Sequence, residues 1–267
     1  MTLRAGPGHR SENHRITGCL GARGAAGLAV LAALALACMV APLLGDGAAV
    51  RRGDVGPVIA ALFDGRGSLS FTLLAGMAGG GIGVGWAVLA MTLEQRAERI
   101  LMDAASRLVA LPSALLVPLV IGLAGPDVGW LALVVALTAA PAVAGLAHAE
   151  LQVLTRREFL AAARAAGLSE GAILRRHLIP NALRPLLAAG AFALPRALAA
   201  ESFASLLGLG LPPPVGSWGA AIGSAARLGD GMTLAPPAFL LAVALWALCA
   251  VADGLLAGPT PAAGMRG

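Results

Sequence analysis

Apolar residues fill this chain in six long runs, at 24–45, 68–91, 104–124, 127–149, 185–206 and 235–256. Each is long enough to cross a bilayer, since a helix rising ~1.5 Å per residue needs ~20 apolar residues to traverse ~30 Å of hydrocarbon. Lipid cannot satisfy exposed backbone groups, so these runs must be helical. The pattern predicts an all-α polytopic membrane protein, a bundle of six transmembrane helices. The fifth run is the least uniform, because Arg196 and Glu201 interrupt it. Pro112 and Pro118 in the third read as kinks tolerated inside a bundle. The second contains GMAGGGIGVG, residues 76–85, which fits no phosphate-binding spacing. Its pairs Gly76/Gly80, Gly79/Gly83 and Gly81/Gly85 predict close helix approach instead.

One stretch, residues 150–184, departs from this pattern. Thr155, Arg156, Arg157 and Glu158 have the spacing of a capping box, with Thr155 as N-cap. Strong helix formers follow to Ala166, and Gly167 suits the left-handed residue that ends a helix. Ser169 caps a second short helix, Glu170 complements its N-terminal dipole, and Arg175 and Arg176 complement its C-terminus. Pro180 cannot continue that helix. The stretch predicts a helix–turn–helix elbow outside the lipid, of a size to enter a partner's groove.

Composition agrees with a membrane domain. Hydrophobic residues make up 58% and charged residues 12%, against about 25% charged in a soluble domain. The sequence has no lysine, so its basic balance is all arginine. Those arginines sit at the ends of apolar runs, which argues against a nucleic-acid partner. The arginine-rich side carries Arg4, Arg10, Arg15, Arg23, Arg96, Arg99, Arg107, the six of the elbow and Arg266, and by the positive-inside rule it is expected to be cytoplasmic. Both termini and the elbow are expected there. The first run exceeds a signal-peptide core and is expected to be a retained helix. Cys19, Cys38 and Cys249 are widely spaced, forming neither a disulfide framework nor a metal site.

Ala162-Ala163, then Gly167, then Pro180 resemble the EAA loop of binding-protein-dependent ABC importer permeases. EFLAAARAAGLSEGAILRRHLIPNALRPLL, followed by LAAESFASLLGLGLPPPVGSWGAAI, is similar to the dipeptide, oligopeptide and nickel permeases, in particular their C-type subunit. The matching residues include Glu158, Arg164, Arg176, His177, Asn181, Glu201, Ser205, Gly208, Gly210, Pro212, Ser217, Trp218 and Gly219, while Ala161 stands where the family has its glutamate. FDGRGSL, residues 63–69, stands where the family has a longer outward segment.

The resemblance implies an organisation of tail 1–23, permease domain 24–257 with coupling loop 150–184, and tail 258–267. It implies an inner-membrane permease subunit forming half of a path for peptides, nickel or other small solutes. Its expected partners are the bilayer, a sister permease, two ATP-binding cassette ATPases and a periplasmic or lipid-anchored solute-binding protein. ATPase coupling falls to Glu158, Ala162, Ala163, Arg164, Gly167, Ser169, Glu170, Arg176, His177 and Pro180. Arg196 and Glu201 are candidates for the translocation path, costly charges at membrane depth that favour a bundle interior or a water-filled route. The alternative for Glu201 and Asp253 is that they reach water at the membrane interfaces. No Walker A motif or catalytic constellation is present, so the chain is expected to bind no cofactor and catalyse nothing, with ATP used by partner subunits. The competing class is a secondary active transporter of small solutes.

Overall fold

The computed structural model describes residues 13–44, 55–156, 170–173, 176 and 178–257. Among them the secondary structure is entirely helical, in ten segments. These are α1 (Asn13–Leu44), α2 (Pro57–Ala90), α3 (Gln95–Ala110), α4 (Ser113–Ala124) and α5 (Val128–Thr155), followed by α6 (Glu170–Ile173), α7 (Ile179–Ala191), α8 (Ala193–Leu206), α9 (Trp218–Leu228) and α10 (Gly231–Ala257). Among the described residues five stretches are each long and apolar enough to cross a membrane, Gly21–Leu44, α2, α5, the α7–α8 pair and α10, and α3–α4 taken together as one bent span makes six.

The third run corrects the sequence expectation. It is not one continuous helix over 104–124 but the bent pair α3–α4, turning through 85°. Pro112 causes the break: the residue before a proline is pushed out of the helical region, and Leu111 is extended at φ −77°, ψ 125°. α4 is then only 12 residues long, about 18 Å at 1.5 Å per residue. Pro118 stays inside α4 as a tolerated interruption.

Other boundaries moved outward. α2 begins at Pro57, eleven residues before the expected start, so FDGRGSL is helical and not an outward loop. α5, capped by Asp127 Oδ1 on the Trp130 N–H at 2.9 Å, runs on to Thr155. Thr155 is therefore the end of a helix, and its hydroxyl donates back to the Gln152 carbonyl at 2.7 Å. The capping box expected there includes Arg157 and Glu158, which lie outside the described residues. Pro180 lies in the first turn of α7, where its missing N–H costs nothing, so the fifth crossing starts at Ile179. That crossing divides at Phe192 because Pro195 cannot bond to the carbonyl of Ala191. α1 starts within the stretch expected to be tail 1–23 and breaks at Gly21, φ 65°.

The glycine run of α2 is what seats it in the middle of the bundle. A Cβ on Gly79 would lie 2.9 Å from the Ala136 carbonyl oxygen, and one on Gly83 2.5 Å from that of Ala140, so this face presses on α5. A Cβ on Gly80 would meet the Gly190 carbonyl at 2.8 Å, and one on Gly76 the Leu194 side chain at 2.7 Å, so the next face presses on α7 and α8. Gly81 and Gly85 have nothing within 4 Å of an added Cβ, so among the described residues the third expected pair makes no contact. Around α2 the buried side chains form three clusters: α2 with α5 and α7, α2 with α4, α5 and α8, and α1 with α8, Trp218 and α10. Ahead of α10, Asp230 Oδ1 accepts from the Met232 and Thr233 N–H groups at 3.1 and 3.2 Å. The Thr233 hydroxyl bond above all, with these N–H bonds, holds the exposed Asp230 carboxyl below the usual carboxylate range.

Candidate functional site

Glu201 and Arg196 share α8 but face different surroundings. Five residues apart, they project about 140° from each other around a helix of 3.6 residues per turn. Glu201 is fully buried. Its Oε1 accepts from the hydroxyls of Ser205 at 2.6 Å and Ser217 at 2.7 Å, and Oε2 accepts from Ser202 at 3.3 Å. Those hydroxyls in turn hold backbone: the Leu211 N–H donates to Ser205 Oγ at 3.2 Å and the Gly219 N–H to Ser217 Oγ at 3.1 Å. From α2, Ser68 Oγ accepts the Trp218 N–H at 3.1 Å and makes a long 3.5 Å contact to Ser217 Oγ. The Trp218 indole N–H reaches the Ala61 carbonyl at 2.8 Å, and its buried ring covers Gly65.

One carboxyl group therefore ties the loop 207–217 and the start of α9 to α8 and α2. The glycines explain why the chain can close so tightly. A Cβ on Gly210 would overlap the Ser205 hydroxyl, one on Gly219 the Ser202 carbonyl, and one on Gly67 the Gly216 carbonyl. Gly208, at φ 81°, supplies the left-handed turn after Leu207. The sequence marked Glu201, Ser205, Ser217 and Trp218 as part of a motif but missed Ser68 and Ser202. Glu201, Ser202 and Ser205 at i, i+1 and i+4 carried a partial signal.

Arg196 is exposed, and among the described residues it forms no ion pair or hydrogen bond. Asp253 is also exposed, near the end of α10. Of the expected coupling residues, Glu158, Ala162, Ala163, Arg164, Gly167, Ser169 and His177 lie outside the described residues, as does the Glu170 side chain. Arg176 and Pro180 are exposed, and α6 occupies the place of the second elbow helix. The end of α5 that leads towards residues 157–169 is braced. His148 Nε2 and Glu98 Oε1 lie 2.7 Å apart, and Gln152 Nε2 donates to the same oxygen at 3.3 Å. His148 is half-buried. It fastens α3 to the last turns of α5, just before Arg157.

Residues 55–258 match the family described as binding-protein-dependent transport system inner membrane component. That span includes the bundle from α2 onward, the braced end of α5 and the Glu201 cluster. The chain belongs to this family. It is 35% identical over 156 residues to a putative peptide transport system permease protein of Brucella suis, covering 58% of this chain and 50% of that one. It is 29% identical over 163 residues to a dipeptide transport system permease of Bacillus subtilis, covering 60% and 51%. A glutathione transport system permease of Pectobacterium atrosepticum is 29% identical over 190 residues, covering 69% and 61%. The chain spans about half the length of the first two of these curated relatives. As a member of this family with several apolar crossings, it is a multi-pass membrane protein.

Proposed function

We propose that the chain is a permease subunit of an ABC importer for peptides, forming half of the translocation path and coupling to ATPase subunits that hydrolyse ATP. The observation that carries this is the match over residues 55–258 to an inner-membrane transport component, with relatives named for peptide, dipeptide and glutathione transport. In this reading a sister permease completes the path, and each permease docks one ATPase. A solute-binding protein delivers cargo from outside, and the helices rock between inward- and outward-facing states. The arginine asymmetry supports cytoplasmic termini in a bacterial inner membrane, with the elbow beside the ATPases. The brace between Glu98 and His148 supports a stiff link from elbow to bundle.

The test is reconstitution with the partners. Gly167→Val should leave this chain in the membrane, because the elbow lies outside the lipid, while the second elbow helix is misdirected. Copy numbers of co-purified ATPase should fall, and cargo-stimulated ATP hydrolysis should drop about tenfold. Wild-type values in that variant would reduce the elbow to a surface loop. ATP-independent uptake by the purified chain alone would replace the importer with a secondary transporter.

A further inference from the structure

Arg196 lies deep within its crossing, with seventeen residues of α7–α8 on one side and ten on the other. At ~1.5 Å per residue the nearer end of this 28-residue crossing is about 15 Å away. Once the roughly 12 Å of helix beyond the hydrocarbon is shared between both ends, about 9 Å remains, still farther than its side chain extends. A guanidinium left in hydrocarbon at that depth is costly, and such groups face a bundle interior or a water-filled cavity. Within this chain the bundle interior is closed to it, because Arg196 is exposed.

What Arg196 faces is a groove of 440 Å³ whose walls include Ala142 and Leu146 of α5, Pro195 of α8, and Leu245 and Cys249 of α10. That volume lies in the range of small-molecule sites. Ala142 and Leu245 are at the midpoints of their helices, so α5 and α10 place the groove at half the membrane's depth. Midplane is also where secondary transporters hold their cargo. The remaining walls are apolar or weakly polar, and Arg196 is the charged group on them. A planar guanidinium matches a carboxylate through two parallel hydrogen bonds and repels a bare divalent cation.

We propose that this groove is a section of the translocation path, and that Arg196 makes it anion-selective by engaging the free carboxylate of the passing cargo. This deepens the importer function proposed above and rests on it. Among the cargoes that the resemblance implied, it favours peptides with a free C-terminus over a nickel cation.

Cys249 is exposed on the same groove and serves as the probe. The experiment uses the full transporter in proteoliposomes, with Cys19→Ser and Cys38→Ala in this chain. Cys249 is modified by an anionic sulfonatoethyl or a cationic trimethylammonioethyl methanethiosulfonate, read as a mass shift on this chain. Asp253, one turn along α10, biases Cys249 towards the cationic reagent, so the measured quantity is the change in the anionic-to-cationic rate ratio. Arg196→Gln should lower that ratio about tenfold, and Arg196→Lys should preserve it.

With one unchanged binding protein, the preference for a free-carboxylate peptide over its C-terminal amide should shrink in Arg196→Gln alone. An unchanged ratio, no reaction with either reagent, or loss of the sister permease from the Arg196→Gln assembly would overturn the role of Arg196. Those outcomes would leave the importer standing. Absence of ATP-driven uptake by the wild-type assembly for every solute would sink the importer itself.

Discussion

Glu201→Leu is expected to lower the stability of the purified chain by about 2–4 kcal/mol, since it strips the acceptor from two short buried hydrogen bonds. The hydroxyls of Ser205 and Ser217 would keep their incoming backbone N–H groups and lose the oxygen to which they donate. Leucine fills the volume but accepts nothing, so the loss falls on the attachment of loop 207–217 to α8 and α2. Glu201→Gln keeps one carbonyl oxygen in place and should lose less than half as much. Ser202→Ala, which removes only the 3.3 Å contact, should be nearly silent. Thermal unfolding in detergent would rank the three variants, and protease digestion would report the loop. A Glu201→Leu protein with wild-type melting and an uncut loop would show that the carboxyl group is not the anchor.

The second large effect is expected at the glycines of α2. In Gly83→Val the new Cβ would start 2.5 Å from the Ala140 carbonyl and 2.6 Å from the Val143 side chain. α2 and α5 must then separate, at about 2–3 kcal/mol. Gly81→Val, two positions away, meets nothing within 4 Å among the described residues, and should be neutral in the isolated chain. A melting temperature equally depressed in both would mean that backbone propensity, not helix approach, governs this segment.

Length and hydrophobicity made most of the crossings legible, because a bilayer imposes a minimum run and forbids unpaired backbone. They failed at 104–124, where a count of apolar residues is blind to the break that Pro112 imposes on Leu111. The early start of α2 was hidden for a related reason. Gly65 and Gly67 read as loop residues, yet they stay helical because Trp218 and Gly216 lie against them. That contact is set by a segment about 150 positions away. The same distance hid the serine cluster: Ser68 and Ser217 are separated by 149 positions, and no local spacing joins them. Arg196 was visible as an oddity, but only the folded chain turns it away from Glu201 and into a groove.

α5 is longer than the membrane that it crosses. Its 28 residues amount to about 42 Å, roughly 12 Å more than the hydrocarbon thickness. The tight contact at Ala140 gives it a fulcrum near mid-length, and Thr155 lies about 22 Å farther along the axis. A tilt of about 10° at that fulcrum would sweep the end of the helix through about 4 Å. α5 would in this sense act as a crank: its close contact with the glycine face of α2 would convert a small rotation at midplane into a stroke at the edge of the bundle. The gearing is set by helix length, so inserting or deleting a turn between Ala140 and Arg157 would change the stroke without touching either end.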